Sequence, residues 1–195
     1  NAVGMAIAES ILQETFNKNI IDHYTYVLHG DGDIQEPVAQ GAIAIAGHYG
    51  LGKLIAYYDS NNAQISGKVS RSDSTDYAKM YEAHGWHVQV IDGHNHDAIR
   101  SAIRVAHMEI EKPSVIIGET IMANGCATVE GDYNTHGAPL SPEEIYNTKK
   151  KLGLNPDEFF QISDDVLDDF RASFDYAKQE VDAWKEHLKQ KCSDS

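Results

Sequence analysis

Two short runs of β-forming residues, each stopping at a polar cluster and separated by a helix-like stretch, constrain this chain more than any other feature. Tyr24-Thr25-Tyr26-Val27-Leu28 runs into Gly30-Asp31-Gly32, and Lys53 to Tyr58 closes at Asp59-Ser60-Asn61-Asn62. From about Glu36 to Tyr49 the sequence is rich in small residues (Ala39, Gly41, Ala42, Ala44, Ala46), which suits a helix packed closely on a sheet. Strand, helix and strand over that length form a crossover between parallel strands, which brings both polar clusters to one edge of the sheet.

The alternation extends in both directions. Residues 3–16 read as a helix with Val3, Ile7, Ile11 and Leu12 on one stripe. Asp76 to His84 reads as a short helix and Trp86 to Ile91 as a strand. Ala98, Ile99, Ala102, Ile103, Ala106 and Ile110 then mark a helix, and Pro113 leads into a strand at Ser114–Gly118. The pattern predicts an α/β fold, a mainly parallel sheet with helices on both faces, with ligands bound beyond the carboxyl ends of the strands. Residues 119–140 form a loop too long for an ordinary connection, so function or disorder is expected there. Ser141-Pro142-Glu143-Glu144 is a strong helix start, with Ser as N-cap and Pro at the first helical position. A last helix begins after Ser163, and its stripe of Val166, Phe170, Phe174, Ala177, Val181, Trp184 and Leu188 suggests docking on another surface. The expected organisation is a ligand-binding domain over 1–140 and a helical linker over 141–195.

Composition narrows the partners. With 195 residues, 42% of them hydrophobic and 24% charged, the chain can bury a core without staples. A formal charge of −14 argues against nucleic acid and anionic membrane, which select for Lys and Arg. The acidic run over 156–183 reads as a solvated helix face. Cys126 and Cys192 define no disulfide framework, no stretch approaches a membrane span, and a cytoplasmic location is expected. The chain opens at Asn1-Ala2-Val3-Gly4, already in helical rhythm and without an initiator Met, which reads as part of a longer protein.

Two motifs mislead. Gly47-His48-Tyr49-Gly50-Leu51-Gly52-Lys53 has P-loop spacing, but Leu54 follows where a hydroxyl is needed. It also joins helix to strand, the reverse of a P-loop, so its glycines read as a helix stop and turn. His84, His87, His94 and His96 span a helix end, a strand and a loop, with no preset ligand face for zinc.

Gly30-Asp31-Gly32 has the right setting for phosphate chemistry, between a strand and a helix. Taken alone it is also a common turn. Asn61, 30 residues on, changes its meaning, because one crossover places both side chains at the same edge. A carboxylate, an amide oxygen, a backbone carbonyl and two diphosphate oxygens would complete an octahedral site for Mg²⁺ or Ca²⁺.

Gly-Asp-Gly followed after about thirty residues by Asn resembles the fingerprint of thiamine-diphosphate enzymes. The flanking words resemble transketolase in particular: Asn1-Ala2-Val3-Gly4-Met5-Ala6, Asp22-His23-Tyr24-Thr25-Tyr26, Leu51-Gly52-Lys53-Leu54-Ile55-Ala56-Tyr57-Tyr58-Asp59, Gly85-Trp86-His87-Val88 and His136-Gly137-Ala138-Pro139-Leu140. The likeness covers roughly the first 160 residues and continues more loosely beyond. It implies the thiamine-diphosphate-binding fold, with Asp31 and Asn61 as side-chain metal ligands and Ala63 supplying a carbonyl oxygen. By the same resemblance Gly32 touches the diphosphate, and Ile65 and Met122 pack beside the cofactor's rings. His136 stands near both diphosphate and substrate as the catalytic histidine, and Glu36 lies near a dimer interface.

The resemblance further implies a homodimeric enzyme of the pentose phosphate pathway. It moves a two-carbon ketol unit from a ketose phosphate to an aldose phosphate. The family's glutamate that acts on the aminopyrimidine lies in a following domain. That domain, and an earlier segment with further histidines and the opening strand, are expected to lie outside these 195 residues. The alternatives are one subunit of a split transketolase and a non-catalytic module retaining the fold. Departures cluster in the long loop: Met122-Ala123-Asn124-Gly125 replaces an Ile-Gly-aromatic-Gly stretch, Glu119 replaces a common lysine, and Tyr133 replaces a histidine. Pro37 replaces a usual glycine and suits a first helical position.

Overall fold

The computed structural model describes residues 1–65 and 67–193, with the side chains of Cys192 and Ser193 outside the description. Helix α1 (Ala2–Phe16) leads to β1 (Thr25–Gly30), a one-turn helix α2 (Asp31–Ile34) and α3 (Pro37–His48). Then come β2 (Leu54–Ser60), the two-residue strands β3 (Ala63–Gln64) and β4 (Gly67–Lys68), α4 (Tyr77–Ala83), β5 (His87–Asp92) and α5 (His96–Met108). The chain continues through β6 (Ser114–Glu119), α6 (Pro142–Lys151) and α7 (Asp164–Ser193).

Helix starts follow from local chemistry. Pro37 and Pro142 take first helical positions, where the missing N–H costs nothing. Asp76, Asn95 and Ser141 each cap a helix by accepting a backbone N–H from its first turn.

Strands β1, β2, β6 and β5 lie in that order in one parallel sheet. The crossovers through α3 and α4 step across the sheet on one face, and α5 returns on the other, as right-handed connections require. Alternation along the strands divides the core accordingly. Leu54, Ala56, Tyr58, Val115 and Ile117 pack with Ile43, Ala46, Tyr77, Tyr81 and Trp86 on the first face. Ile55 and Ile116 pack with Ala102 and Ala106 of α5 on the second. Helix α5 reaches β1 through His107, whose Nε2 pairs with the Tyr26 hydroxyl at 2.5 Å, and Tyr26 and Leu28 remain exposed on that face.

Close backbone approach explains the glycines of the P-loop-like stretch. A Cβ on Gly47 would lie 1.7 Å from the His84 carbonyl oxygen, and one on Gly52 1.9 Å from that of Ile110. Gly50 stops α3 with φ of 60°. Lys53 is engaged with buried Glu9 at 2.8 Å and with Asp22, tying α1 to the entry of β2. Two of the four histidines hold structure: His87 pairs with Ser114, and His94 binds the long loop. No metal-ligating cluster of three His, Cys, Asp or Glu exists among the described residues.

Three features depart from expectation. Gly-Asp-Gly does not open the long helix, because Asp31 starts the separate turn α2 and Pro37 begins α3 afterwards. The β3–β4 pair was unforeseen, since two-residue strands carry no periodicity. Helix α7 runs 30 residues with Phe170 and Phe174 of its stripe exposed, and Trp184 Nε1 donates to the Ile20 carbonyl at 2.9 Å. Cys126 is a buried free thiol. No helix among the described residues is long and apolar enough to cross a membrane.

Candidate cofactor site

Register places the two polar clusters side by side. Gly30 of β1 pairs with Asp59 of β2, so the chain leaves both strands at the same carboxyl edge. Asp31 lies one residue beyond and is only 4% exposed. Its Oδ1 accepts the Tyr58 hydroxyl at 2.5 Å, and its Oδ2 accepts the backbone N–H groups of Asn61 at 3.2 Å and Ala63 at 3.3 Å. Asn62, between those donors, adopts φ of 57°, a left-handed turn that asparagine tolerates better than most residues.

The Asn61 amide is held at both ends. Its Oδ1 accepts the Ala63 N–H at 2.9 Å, and its Nδ2 donates to Asp59 Oδ2 at 3.0 Å. The Thr120 hydroxyl, just past β6, donates to the other Asp59 oxygen. Gln35 Nε2 donates both to the Asp31 carbonyl at 2.9 Å and to Gln64 Oε1 at 2.8 Å. Gln64 in turn donates to Ser72 at 2.6 Å, which fastens the β3–β4 turn to α2.

These elements surround a cleft of about 810 Å³. The seven residues read from sequence as metal, cofactor or catalytic positions line it (Asp31, Gly32, Asn61, Ala63, Ile65, Met122 and His136), and so does Glu36, expected near a dimer interface. Sequence reading missed Asp33, Gln35, Asp59 and Gln64, which line it as well. It also missed Tyr58 behind Asp31. Asp59 was visible as part of a strand-ending cluster, whereas Tyr58 was read only as the last residue of a strand. A Cβ on Gly32 would meet nothing within 4 Å, so the backbone there faces open space.

Asp31 is a buried carboxylate with three hydrogen-bond donors and, among the described residues, no ion pair. Such a charge is costly unless a cation joins it. Carboxylate, amide and carbonyl oxygens make a hard donor set, which fits Mg²⁺ or Ca²⁺. Burial, reinforced by the adjacent Asp31 carboxylate, pushes the Tyr58 hydroxyl well above its ordinary pKa, so it remains a donor. His29 stacks on Tyr58 with ring centroids 5.0 Å apart and pairs with the Tyr81 hydroxyl at 3.0 Å. Burial holds its imidazole below the ordinary pKa.

The long loop is fastened at several points. His94 Nε2 accepts the Ile121 N–H at 2.8 Å, and Nδ1 pairs with the Asn124 side chain at 3.1 Å. Buried Glu144 of α6 accepts the Thr128 N–H at 2.9 Å and the Thr128 hydroxyl at 2.6 Å. Between these anchors Ala123 sits at φ of 51°, where a side chain is disfavoured. Ala123→Gly is therefore expected to raise stability by about 1 kcal/mol. A urea titration should show a higher midpoint at unchanged slope, and a lower midpoint would contradict the strain.

A parallel sheet, helices on both faces and an oxygen-lined cleft at the carboxyl edge together define an α/β ligand-binding domain. Residues 1–195 match the family described as transketolase, thiamine diphosphate binding domain. The chain is 43% identical over 190 residues to transketolase 2 of Vibrio parahaemolyticus, covering 95% of this chain and 28% of that protein. Against the transketolase of Buchnera aphidicola it is 45% identical over 171 residues, covering 86% of this chain and 26% of the relative. The Leishmania mexicana transketolase structure superposes with a TM-score of 0.93 at 40% identity, covering 98% of this chain and 29% of that one. The Campylobacter jejuni transketolase structure gives 0.93 at 35% identity, covering 97% and 30%. The chain belongs to the transketolase family, as its thiamine-diphosphate-binding domain. It spans little more than a quarter of the length of these curated relatives.

Proposed function

We propose that this chain supplies the diphosphate-and-metal half of a transketolase active site. That enzyme transfers a two-carbon ketol unit from a ketose phosphate to an aldose phosphate. The observation that carries this reading is the convergence of Asp31, Asn61, Ala63 and His136 on one cleft. Bound thiamine diphosphate supplies a nucleophilic ring carbon and an electron sink. Asp31, Asn61 and the Ala63 carbonyl would hold Mg²⁺ or Ca²⁺ for the diphosphate. Gly32 lets the backbone approach a phosphate oxygen without a side chain in the way. Ile65 and Met122, which line the cleft, would pack on the rings and keep water from them. His136, at the cleft wall, stabilises charge on a substrate oxygen or moves a proton there.

The proposed division is a cofactor domain over 1–140 and a linker over 141–195, in a cytoplasmic homodimer of the pentose phosphate pathway. The carboxylate that acts on the aminopyrimidine comes from a further domain. Asp31 cannot serve, being committed to the diphosphate end, and Glu36 is assigned to the dimer interface. The 195-residue chain assayed alone with ketose-phosphate donor and aldose-phosphate acceptor should show no turnover, and adding the remaining domains should restore it. Turnover by the chain alone at the rate of a whole enzyme would refute the half-site reading. Failure to restore activity, with intact cofactor binding, would favour a non-catalytic module.

A further inference from the structure

We infer that Asp59 is a positioning residue that sets the orientation of the Asn61 amide and makes asparagine, not aspartate, the fitting ligand at position 61. This rests on the metal-site reading above and adds a residue to it. An amide side chain has an accepting end and a donating end, and which end faces a cation decides whether it can ligate. At Asn61 both neighbours are unambiguous. The Ala63 N–H can only donate, and it lies 2.9 Å from Oδ1. The Asp59 carboxylate accepts, and its Oδ2 lies 3.0 Å from Nδ2. The amide is therefore pinned with nitrogen toward β2, leaving the second lone pair of Oδ1 for a cation.

Asp59 is itself fixed, because the Thr120 hydroxyl occupies its other oxygen. Asp59 and Asn61 are two residues apart at the end of β2, so the strand end carries a ligand and the group that orients it. Counting charge alone, Asn61→Asp should tighten a divalent cation, since a second carboxylate joins Asp31. The geometry says the opposite. The new oxygen would sit where Nδ2 now lies, 3.0 Å from Asp59 Oδ2, and two carboxylates would repel across a lost hydrogen bond.

The test uses the protein at its natural length with Mn²⁺ as probe, its affinity read by electron paramagnetic resonance with thiamine diphosphate present. Asn61→Asp is expected to weaken Mn²⁺ about tenfold. Asp59→Asn combined with Asn61→Asp should return affinity to within about threefold of wild type, because the amide now at position 59 donates to the carboxylate at 61. Asp59→Leu, which removes the acceptor, should weaken Mn²⁺ about tenfold, while Asp59→Asn, which keeps an accepting oxygen, should change it less than about threefold. Asn61→Asp binding more tightly than wild type, or a double variant no better than Asn61→Asp, would overturn the inference. Should the double variant fail to fold, equal Mn²⁺ affinity in Asp59→Leu and wild type would overturn it as well. Asn61→Ala binding Mn²⁺ as wild type does would instead sink the ligand assignment itself.

Discussion

Replacing Asp31 with asparagine or alanine is expected to weaken thiamine diphosphate binding in Mg²⁺ by about a hundredfold or more. Asp31 is the only proposed ligand with formal charge, and it is already desolvated at 4% exposure. Three donors hold its carboxylate in place, so the cation would meet a preorganised group. Asp31→Asn is the more informative variant, since an amide oxygen can still accept from Tyr58. Tyr58→Phe leaves the charge but frees the carboxylate to rotate, and a loss of about tenfold is expected. Calorimetry on the protein at its natural length, with Mg²⁺ and then with a chelator, gives these values. Asp31→Asn binding the cofactor as tightly as wild type would remove the metal from the account.

The second large effect concerns the scaffold. Gly47→Ala should destabilise the fold by about 3 kcal/mol, because its Cβ would lie 1.7 Å from one backbone oxygen and 2.9 Å from the attached carbon. Neither atom belongs to a flexible side chain, so helix α3 or the turn after α4 must move as a unit. Gly41 in the same helix is the control, because a Cβ there meets nothing within 4 Å. Gly41→Ala should stabilise by about 0.5–1 kcal/mol through helix propensity. Urea midpoints decide, and equal behaviour of the two variants would contradict the close approach.

The contrast between those glycines shows what sequence could and could not reveal. The alternation of strand and helix patterns gave the parallel sheet, because buried parallel strands need apolar runs and crossovers need helices. Polar strand ends at Gly30-Asp31-Gly32 and Asp59-Ser60-Asn61-Asn62 gave the cleft edge for the same reason. The glycines at 47 and 52 read as a helix stop and turn, since contact with residues 84 and 110 is long-range. Tyr58 carried no signal of its own: it ended a β-forming run, and only the fold shows its hydroxyl reaching Asp31. Two-residue β3 and β4 were equally silent, being defined by one another and by the Gln35–Gln64–Ser72 hydrogen bonds. In the long loop, Ala123 shows where the local rule is broken, with a side chain at a positive φ.

One measurement reaches the central claim most directly: anomalous diffraction from crystals of the protein grown with thiamine diphosphate and Mn²⁺. A single Mn²⁺ peak within about 2.0–2.4 Å of an Asp31 carboxylate oxygen, Asn61 Oδ1 and the Ala63 carbonyl, bridging to the diphosphate, is the predicted result. A diphosphate bound in the cleft without metal, or a Mn²⁺ peak that leaves Asp31 and Asn61 bonded only to protein, would contradict it.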